Sequence, residues 1–437
     1  MKHFGGIILC TVLLFSCGGN FDGILKYTVD GDVITVGIMS DLQLPVGAKD
    51  SALYVTNTKK ALEYFKSRKI DVLINAGDLT DLSDDTAYSP YKACLDSVFG
   101  TERPVTVQVM GNHDYWNSYG KADTLTKLRD RFTRMTGDSP WTHKVVNGYH
   151  FLAISPANGD MDGSYGLIKN KIRSEIGTAV SQNPGKPVFI VTHQNPEDTV
   201  YGSDAWGNDD LTEIFSNYPQ IISFSGHSHY SLLDERSIWQ GSFTAINTQC
   251  VSYVELEAGK ENGSIPPHAE DSPMVMIMEI RANEIRIIRY NLAKEREEKN
   301  AWTIPLPIKK ENFKYTTEKR IRNAVSPVFS EEAVSAGIET VSVKDEKTGK
   351  PVDGFRFTAA SHADFVHSYK VNLNASGRTQ TFFYFSDFCA GLSEMSPTPA
   401  FAFPKNLKPG TYNIEIKAVE SFGKESKESV TGLVRIQ

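Results

Sequence analysis

The stretch IISFSGHSHYS, residues 221–231, joins an apolar run to two histidines that are separated by a single serine. In an extended segment, side chains two residues apart point to the same side. His227 and His229 can therefore reach into one cleft, and Gly226 allows the backbone to pass close to it. The pattern predicts a buried strand that ends at a binding site.

Similar apolar runs recur along the first three hundred residues, separated by polar stretches. Their length and β-branched content favour strands that are buried on both faces. Apolar residues at helical spacing predict helices at 57–69 and 122–135. The sequence therefore predicts an α/β fold with central sheets covered by helices. The predicted strands are 33–41, 70–78, 104–112, 149–155, 187–193, 220–227, 274–280 and 285–291.

Residues that can bind a metal ion stand at the ends of these runs: Asp41, Asp78, Asn112, His193 and His227. One such residue alone would usually be a helix cap or a satisfied core residue. Five in chain order, at the strand ends where α/β folds gather their sites, predict a metal centre.

The blocks around these residues resemble the calcineurin-like metallophosphoesterase family. That family shows D-x-H, GD-x-x-D, GNH-[DE], a lone His and GH-x-H in this order. The chain has DLQ at 41–43, GDLTD at 77–81, GNHD at 111–114, TH at 192–193 and GHSH at 226–229. The resemblance covers about the first three hundred residues and implies a layered β-sandwich core flanked by helices.

The resemblance also implies a phosphohydrolase that uses two divalent metal ions bridged by Asp78. Carboxylate, amide and imidazole groups without thiolates suit borderline-to-hard cations and not a structural zinc site. Two ions about 3.5–4 Å apart can turn a bridging water into the attacking hydroxide and clamp a phosphate. The implied ligands are Asp41, Gln43, Asp78 and His229 for one ion, and Asp78, Asn112, His193 and His227 for the other.

Gln43 departs from the family pattern, which usually has a histidine at this position. Its neutral oxygen favours Mn²⁺, Mg²⁺ or Fe²⁺ over Zn²⁺, and we expect Mn²⁺. Family members with D-x-Q include manganese-dependent ADP-ribose and CDP-alcohol diphosphatases, which favours diester or nucleotide-pyrophosphate substrates. Alternatively, Gln43 lies behind the ligands and leaves one ion loosely held.

The resemblance further implies that His113 stabilises or protonates the leaving-group oxygen. Asp114 and Asp81 are predicted to orient His113, because a carboxylate behind an imidazole fixes its tautomer. The alternative for Asp81 is a cap on the following helix.

Aromatic residues near these motifs are candidates for contacts with a phosphorylated small molecule or a lipid head group. Tyr115 and Trp116 follow His113, and Tyr201 and Trp206 lie in the long polar loop 194–210. Their rings can stack on a base or sugar, although a tryptophan in a loop is as often a packing anchor.

The N-terminus resembles the signal peptide of a bacterial lipoprotein. The apolar run at 4–17 is too short to span a bilayer, and LFSC at 14–17 resembles a lipoprotein cleavage box with Cys17 as the lipidated residue. We expect an exported protein held in the cell envelope by its lipid anchor, at the periplasmic face or the cell surface. The alternative is a plain secretory signal that is cleaved near the same place.

Composition and cysteines narrow the class of protein. With 437 residues, 40% hydrophobic and 23% charged, the chain is long enough for two globular domains. Its formal net charge of −7 offers no basic footprint for nucleic acid. Beyond the signal region, Cys94, Cys250 and Cys389 are odd in number and widely spaced, which favours buried free thiols over one disulfide.

The last third of the chain changes character. Short alternating strands, a hairpin around 374–377 and a turn at 408–410 predict a second, smaller all-β sandwich that resembles fibronectin type III modules. The predicted divisions are a signal peptide at 1–17, a catalytic domain at 18–305, a linker at 306–324 and the sandwich at 325–437. A spacer role for the sandwich is favoured over glycan or partner binding. The rival for the whole chain is a non-enzymatic surface lipoprotein whose sandwich binds a glycan or protein on a decayed hydrolase scaffold.

Overall fold

The computed structural model describes residues 23–117, 123–267, 269–345 and 348–436. These residues group into two compact units. The first consists of 23–232, 236–253 and 273–316, and the second of 233–235, 254–272 and 317–436. The predicted linker at 306–324 falls partly in each unit, and the predicted domain boundaries stay predictions.

The first unit alternates strands and helices along most of its length. Its helices are α1 (Leu53–Ser67), α2 (Asp85–Phe99), α3 (Leu125–Thr136), α4 (Lys169–Gln182), α5 (Ser203–Trp206) and α6 (Asp209–Phe215). Its strands are β1 (Ile24–Tyr27), β2 (Ile34–Met39), β3 (Val72–Asn75), β4 (Val105–Gln108), β5 (Trp141–Val146), β6 (Tyr149–Ile154), β7 (Val188–Val191), β8 (Asn195–Pro196), β9 (Gly207–Asn208), β10 (Ile221–Ser225), β11 (Ile238–Gln240), β12 (Thr244–Asn247), β13 (Met274–Ile280), β14 (Glu284–Asn291), β15 (Arg296–Glu297) and β16 (Trp302–Pro305).

Two mixed sheets form the core of this unit. One has the order β1-β5-β6-β7-β10-β12-β11, and the other has β15-β14-β13-β2-β3-β4 with β16 paired to β14. Within them, β2, β3 and β4 are parallel neighbours, as are β6, β7, β10 and β12. Parallel pairing brings the carboxyl ends of these strands to the same edge of each sheet, which is where the predicted ligands follow.

Helices cover an apolar face of each sheet. Leu62 and Phe65 of α1 and Phe132 of α3 belong to one buried cluster with residues of β3 and β13, such as Leu73 and Ile277. A second cluster packs α4 and α6 against β6, β7 and β10. The strands β3, β7 and β10 are buried along their whole length. The predicted α/β core is therefore confirmed, together with its strands buried on both faces.

Antiparallel strands dominate the second unit. Its helices are α7 (Thr317–Asn323) and α8 (Glu331–Ala336), and its strands are β17 (Glu339–Lys344), β18 (Pro351–Arg356), β19 (Ser368–Ala375), β20 (Arg378–Phe385), β21 (Ala400–Ala402), β22 (Gly410–Val419) and β23 (Val430–Ile436). A three-stranded sheet, β17-β18-β21, and a four-stranded sheet, β20-β19-β22-β23, share one apolar core. The predicted second all-β domain is confirmed, whereas its fibronectin-like character stays a prediction.

Cys94, Cys250 and Cys389 are buried thiols outside any disulfide, as expected. No helix among the described residues is long and apolar enough to span a membrane. Cys17 and the predicted signal peptide lie outside the described residues.

Candidate metal centre

The predicted ligands follow strands of both sheets. Asp41, Asp78 and Asn112 come two to four residues after the ends of β2, β3 and β4, and His193 and His227 come two residues after β7 and β10. Each of these predicted ligands therefore lies just after a buried strand, which fixes its position at the edge where the parallel strands end.

His193 is the centre of the first group of ligands. Its Nδ1 lies 2.8 Å from the carbonyl oxygen of Ala76, to which it donates, so Nε2 presents a lone pair. That Nε2 lies 3.2 Å from Oδ2 of Asp78 and 3.0 Å from Oδ1 of Asn112. In the neutral ring, three acceptor atoms converge here, and a bound cation would satisfy all of them. Burial alone would lower the pKa of His193, but the charge of Asp78 outweighs it and raises this pKa in the metal-free protein, where a second proton on the ring can take the place of the cation.

His227 completes this group. One ligand atom each from Asp78, His193 and His227 lie within 4.8 Å of one another. Nε2 of His227 is buried and has no hydrogen-bond partner among the described residues, which is costly for a polar atom. Burial, together with the neighbouring His193, lowers the pKa of His227 to about 3. The ring is therefore neutral near pH 7 and offers the lone pair that a metal ion needs.

Asp41 and His229 form the second group. Nδ1 of His229 lies 2.8 Å from the carbonyl oxygen of Tyr253, to which it donates, and Nε2 lies 3.3 Å from Oδ1 of Asp41. Asp41 is fully buried, and the backbone N–H of His227 donates to its Oδ1 at 3.1 Å. This backbone amide joins the two groups of predicted ligands.

Gln43 contacts the predicted ligands through a backbone hydrogen bond. Its N–H donates to the carbonyl of Asp78 at 3.0 Å, and its Oε1 lies 3.4 Å from the hydroxyl of Ser252. The side chain is 4% exposed. Its role as a metal ligand stays a prediction.

Five of the seven predicted ligands occupy the left-handed region of backbone space. The φ angles are 52° for Asp41, 43° for Gln43, 50° for Asp78, 70° for His227 and 57° for His229. This conformation costs a non-glycine residue about 1–3 kcal/mol and gathers at functional sites. At these five residues the backbone is thus held in an unfavourable conformation that directs the side chain toward the candidate metal centre.

Glycines in the motifs leave room for the ligands. A Cβ atom added to Gly111 would lie 2.0 Å from Oδ1 of Asp78, and one added to Gly226 would lie 2.3 Å from Oδ2 of Asp41. Gly226 therefore does let the backbone approach the site closely, and Gly111 does the same for the other group of ligands.

His113 faces the metal centre from the side. Its Nδ1 lies 2.9 Å from the carbonyl oxygen of Asp81 and 3.4 Å from the carboxylate of the same residue, while Nε2 lies 3.9 Å from Oδ2 of Asp78. Burial alone would lower the pKa of His113, but Asp81 and Asp78 outweigh it and raise this pKa to about 9 in the metal-free protein. Both the backbone carbonyl and the carboxylate of Asp81 thus lie beside Nδ1 of His113, and the orienting role of Asp81 stays a prediction. The alternative role of Asp81 as a helix cap is wrong, because Asp84 caps α2.

Asp114 does not orient His113 as predicted. Its carboxylate is fully buried and accepts hydrogen bonds from the backbone N–H groups of Leu79, Thr80 and Gly111 and from the hydroxyl of Tyr88. Burial, reinforced by the charge of Asp78, raises the pKa of Asp114 to about 6. Asp114 therefore ties the loops that carry Asp78 and Asn112 together and acts on the centre through them.

The four aromatic candidates divide into two pairs. Trp116 and Trp206 lie at the centre: the ring centroids are 4.0 Å apart for Trp116 and His113, and 5.5 Å apart for Trp206 and His227.

Tyr115 and Tyr201 are instead buried. The hydroxyl of Tyr115 donates to the carbonyl of Pro156 at 2.8 Å, and Tyr201 packs edge-on against Tyr230. The rings of Tyr115 and Tyr201 are used for packing in this structure, and their contact with a substrate stays a prediction.

Sequence reasoning missed the groups that hold the ligand histidines in place. These are the backbone carbonyls of Ala76 and Tyr253, which fix the tautomers of His193 and His229. Every residue has a backbone carbonyl, so the amino-acid sequence does not indicate which carbonyl accepts a hydrogen bond from a histidine. Tyr88 was missed as well, although its position early in the helix after the GDLTD block was visible.

Comparison with known proteins agrees with this geometry. Residues 34–231 match the family described as calcineurin-like phosphoesterase. No curated protein matches the chain.

Solved structures with a similar fold include two phosphatases. A dimetal phosphatase from Danio rerio is 12% identical, with a TM-score of 0.43 over 63% of this chain and 100% of its own. A purple acid phosphatase from yellow lupin (Lupinus luteus) seeds is 13% identical, with a TM-score of 0.44 over 63% of this chain and 54% of its own. At these scores the likenesses add nothing to the family match. Residues 34–231 of this chain form a calcineurin-like phosphoesterase domain, and the protein is a metal-dependent phosphoesterase.

Proposed function

We propose that this phosphoesterase hydrolyses phosphodiesters or nucleotide-type pyrophosphates with two divalent ions held by the seven ligands named above. One observation carries the metal-dependent part of the proposal. The unpartnered, buried Nε2 of His227 lies within 4.8 Å of ligand atoms of Asp78 and His193. A cation bound to this group would remove the cost of leaving that buried nitrogen unpaired.

The two ions, when bound, would supply an activated water and positive charge for the phosphoryl oxygens. The chain itself supplies position and a proton. Because Nδ1 of His113 donates to the carbonyl of Asp81, Nε2 is the atom that points toward the reaction. A protonated Nε2 would donate to the leaving-group oxygen as the bond to phosphorus breaks.

The two tryptophans beside the metal centre, Trp116 and Trp206, favour a substrate whose leaving group or second ester group carries a ring. Trp116 lies against His113, so a group leaving on the side of His113 would contact the indole. The indole is fixed in turn, because its Nε1 donates to the carbonyl of Gly159 at 2.9 Å. Trp206 lies edge-on to His227, with ring centroids 5.5 Å apart. A base or nicotinamide-like ring that stacks on either indole would gain energy that a bare phosphate monoester lacks.

A comparison of two substrates tests this proposal. Protein loaded with Mn²⁺ is assayed on bis(p-nitrophenyl) phosphate and p-nitrophenyl phosphate, and then on a panel of nucleotides, nucleotide sugars and lipid head groups. We expect a higher kcat/KM for the diester. A clear preference for the monoester would overturn the substrate class and leave the enzyme class intact. Hydrolysis of neither, with no bound metal by elemental analysis, would favour the non-enzymatic lipoprotein.

Manganese is proposed as the working metal because Gln43 brings a neutral oxygen where the family usually has an imidazole. A Gln43→His variant tests the proposal. We expect its activity with Zn²⁺ to rise relative to its activity with Mn²⁺. If the two activation profiles match those of the unmodified protein, Gln43 does not decide the metal.

We also propose that the protein is exported and held in the bacterial cell envelope through a lipid on Cys17. The support is the LFSC box and the preceding apolar run. Expression of the full chain and of Cys17→Ser, followed by separation of membranes, tests this. We expect the unmodified chain in the membrane fraction and the variant outside it. Membrane association of both would contradict the lipid anchor.

A further inference from the structure

The outer face of the four-stranded sheet of the second unit carries an unusual row of side chains. Cross-strand pairing places Thr381, Asn372, Glu415 and Thr431 side by side on β20, β19, β22 and β23. They are linked in part: Thr381 donates to Oδ1 of Asn372 at 2.8 Å, and Nδ2 of Asn372 donates to Glu415 at 3.1 Å. An amide is thereby held with its plane fixed between two strands.

A second row lies two residues further along the same strands. It consists of Thr379, Asn374, Asn413 and Leu433, again one residue from each strand. Nδ2 of Asn374 donates to the hydroxyl of Thr379 at 2.9 Å, which leaves Oδ1 of Asn374 open. Residues of both rows line an open depression of about 530 Å³.

Asparagine is disfavoured inside strands, because its side chain competes for backbone hydrogen bonds and packs poorly on a pleated surface. Here Asn372, Asn374 and Asn413 stand next to each other in the middle of the sheet, and Asn374 is paired directly with Asn413. Their hydrogen bonds to Thr381, Glu415 and Thr379 support the pairing of the strands, but threonine or another β-branched residue would suit these surface positions better. A local rule broken at adjacent positions points to a binding role.

The chemistry of the face selects the class of ligand. Its amides and hydroxyls both donate and accept, and Glu415 would repel an anion. Leu433, with 68% of its surface exposed, offers an apolar edge at the end of the second row. Neutral sugars present hydroxyl groups that donate and accept, together with apolar C–H faces. The four strands span roughly 14 Å across the sheet, which leaves room for more than one sugar ring.

We propose that this face of the second unit, bounded by the two rows, binds a neutral oligosaccharide. The depression lined by the asparagine pair is the binding site, with Glu415 and Asn372 as fixed hydrogen-bonding partners. The proposal is independent of the metal centre, which is built from residues of the first unit.

Affinity electrophoresis of the full chain tests the proposal with starch, xylan, galactomannan and a mixed-linkage β-glucan, and with polygalacturonate as the charged counterpart. We expect at least one neutral polysaccharide to retard the protein. In the double variant Asn374→Ala/Asn413→Ala the affinity for it should fall at least tenfold. The matched control is Asn406→Ala, whose side chain is exposed in the loop between β21 and β22 and should leave binding unchanged.

Thermal unfolding and hydrolysis of bis(p-nitrophenyl) phosphate are measured in parallel to show that each variant is folded. Retardation that the double variant retains would overturn the proposal. So would retardation by polygalacturonate alone, or by none of the polysaccharides.

Discussion

Nε2 of His193 and Oδ1 of Asn112 lie 3.0 Å apart, and neither atom has a proton to offer in the neutral ring, whose Nδ1 donates to the carbonyl of Ala76. Oδ2 of Asp78 adds a third acceptor at 3.2 Å from the same nitrogen. A bound cation would satisfy all three atoms.

Metal removal is therefore expected to destabilise the protein as well as inactivate it. An ion present at 100 times its dissociation constant stabilises a folded protein by about 2.7 kcal/mol if it does not bind the unfolded chain. Dialysis against a chelator should lower the unfolding temperature, and added Mn²⁺ should restore it, as followed by circular dichroism. The Asp78→Ala variant serves as control and should respond weakly to either treatment. An unfolding temperature that is indifferent to chelator and Mn²⁺ would contradict a resident metal.

Gly111→Ala should damage the metal centre, because its Cβ would lie 2.0 Å from Oδ1 of Asp78. A displacement of about 1 Å at such a site can cost roughly a hundredfold in rate. We expect at least that loss in kcat/KM, with lower metal content by elemental analysis. The matched control is Gly177→Ala in the middle of α4, where a Cβ meets nothing within 4 Å. This change should keep full activity and stabilise the helix by up to about 1 kcal/mol. Equal activity of the two variants would show that the space at Gly111 does not matter.

His113→Ala should lower kcat by roughly 10²–10⁴-fold for substrates with poor leaving groups. The loss should be much smaller for bis(p-nitrophenyl) phosphate, because p-nitrophenolate leaves without needing a proton. An alkyl p-nitrophenyl diester and a dialkyl diester make the comparison within one assay. His362→Ala, a change at a half-buried histidine of the second unit, is the control. A loss that is the same for every leaving group would assign His113 to binding and not to proton transfer.

A buried chain of hydrogen bonds on β5 and β6 predicts a dependence of stability on pH. Nδ2 of Asn183 lies 2.7 Å from Nε2 of His150, Nδ1 of His150 lies 2.7 Å from Nε2 of His143, and Nδ1 of His143 lies 3.0 Å from Glu175. Every link is satisfied when both rings are neutral. Burial, assisted by His143, lowers the pKa of His150 to about 4, against about 6.5 in an unfolded chain.

Between these two values the unfolded chain binds the proton more tightly. The contribution of His150 to stability is therefore complete above pH 6.5 and is lost as the pH falls toward 4, by up to about 3 kcal/mol. Urea unfolding of the unmodified protein and of His150→Asn at several pH values measures this. We expect the difference in unfolding free energy between them to shrink as the solution is acidified. Parallel curves would mean that His150 does not titrate in this range.

The sequence predicted the strands, and it predicted that the residues after their ends come together, because both depend on residue type in chain order. Asp41, Asp78, Asn112, His193 and His227 follow buried apolar runs, and parallel pairing of those runs brings their ends together. The second β domain was predicted for the same reason, from alternating strands and turn residues such as those at 374–377.

The sequence did not predict which contact a side chain makes when its residue type allows several. Asp114 and Asp81 are both carboxylates near His113, yet only three-dimensional packing decides that Asp114 turns toward the backbone of Leu79 and Gly111. Tyr115 and Trp116 are neighbours in the chain, and one is buried while the other lies against the imidazole. The left-handed backbone at His227 and His229 was equally hidden, because residue type alone does not indicate it.

At five positions the left-handed backbone lowers the stability of the fold, while the side chain is needed for the predicted metal centre. These positions are Asp41, Gln43, Asp78, His227 and His229. Glycine would relax the chain at each of these positions, but it has no carboxylate, amide or imidazole to offer. Directed evolution for thermal stability alone would therefore favour glycine at these positions and yield stable but inactive variants. A selection for more stable variants must also require catalytic turnover.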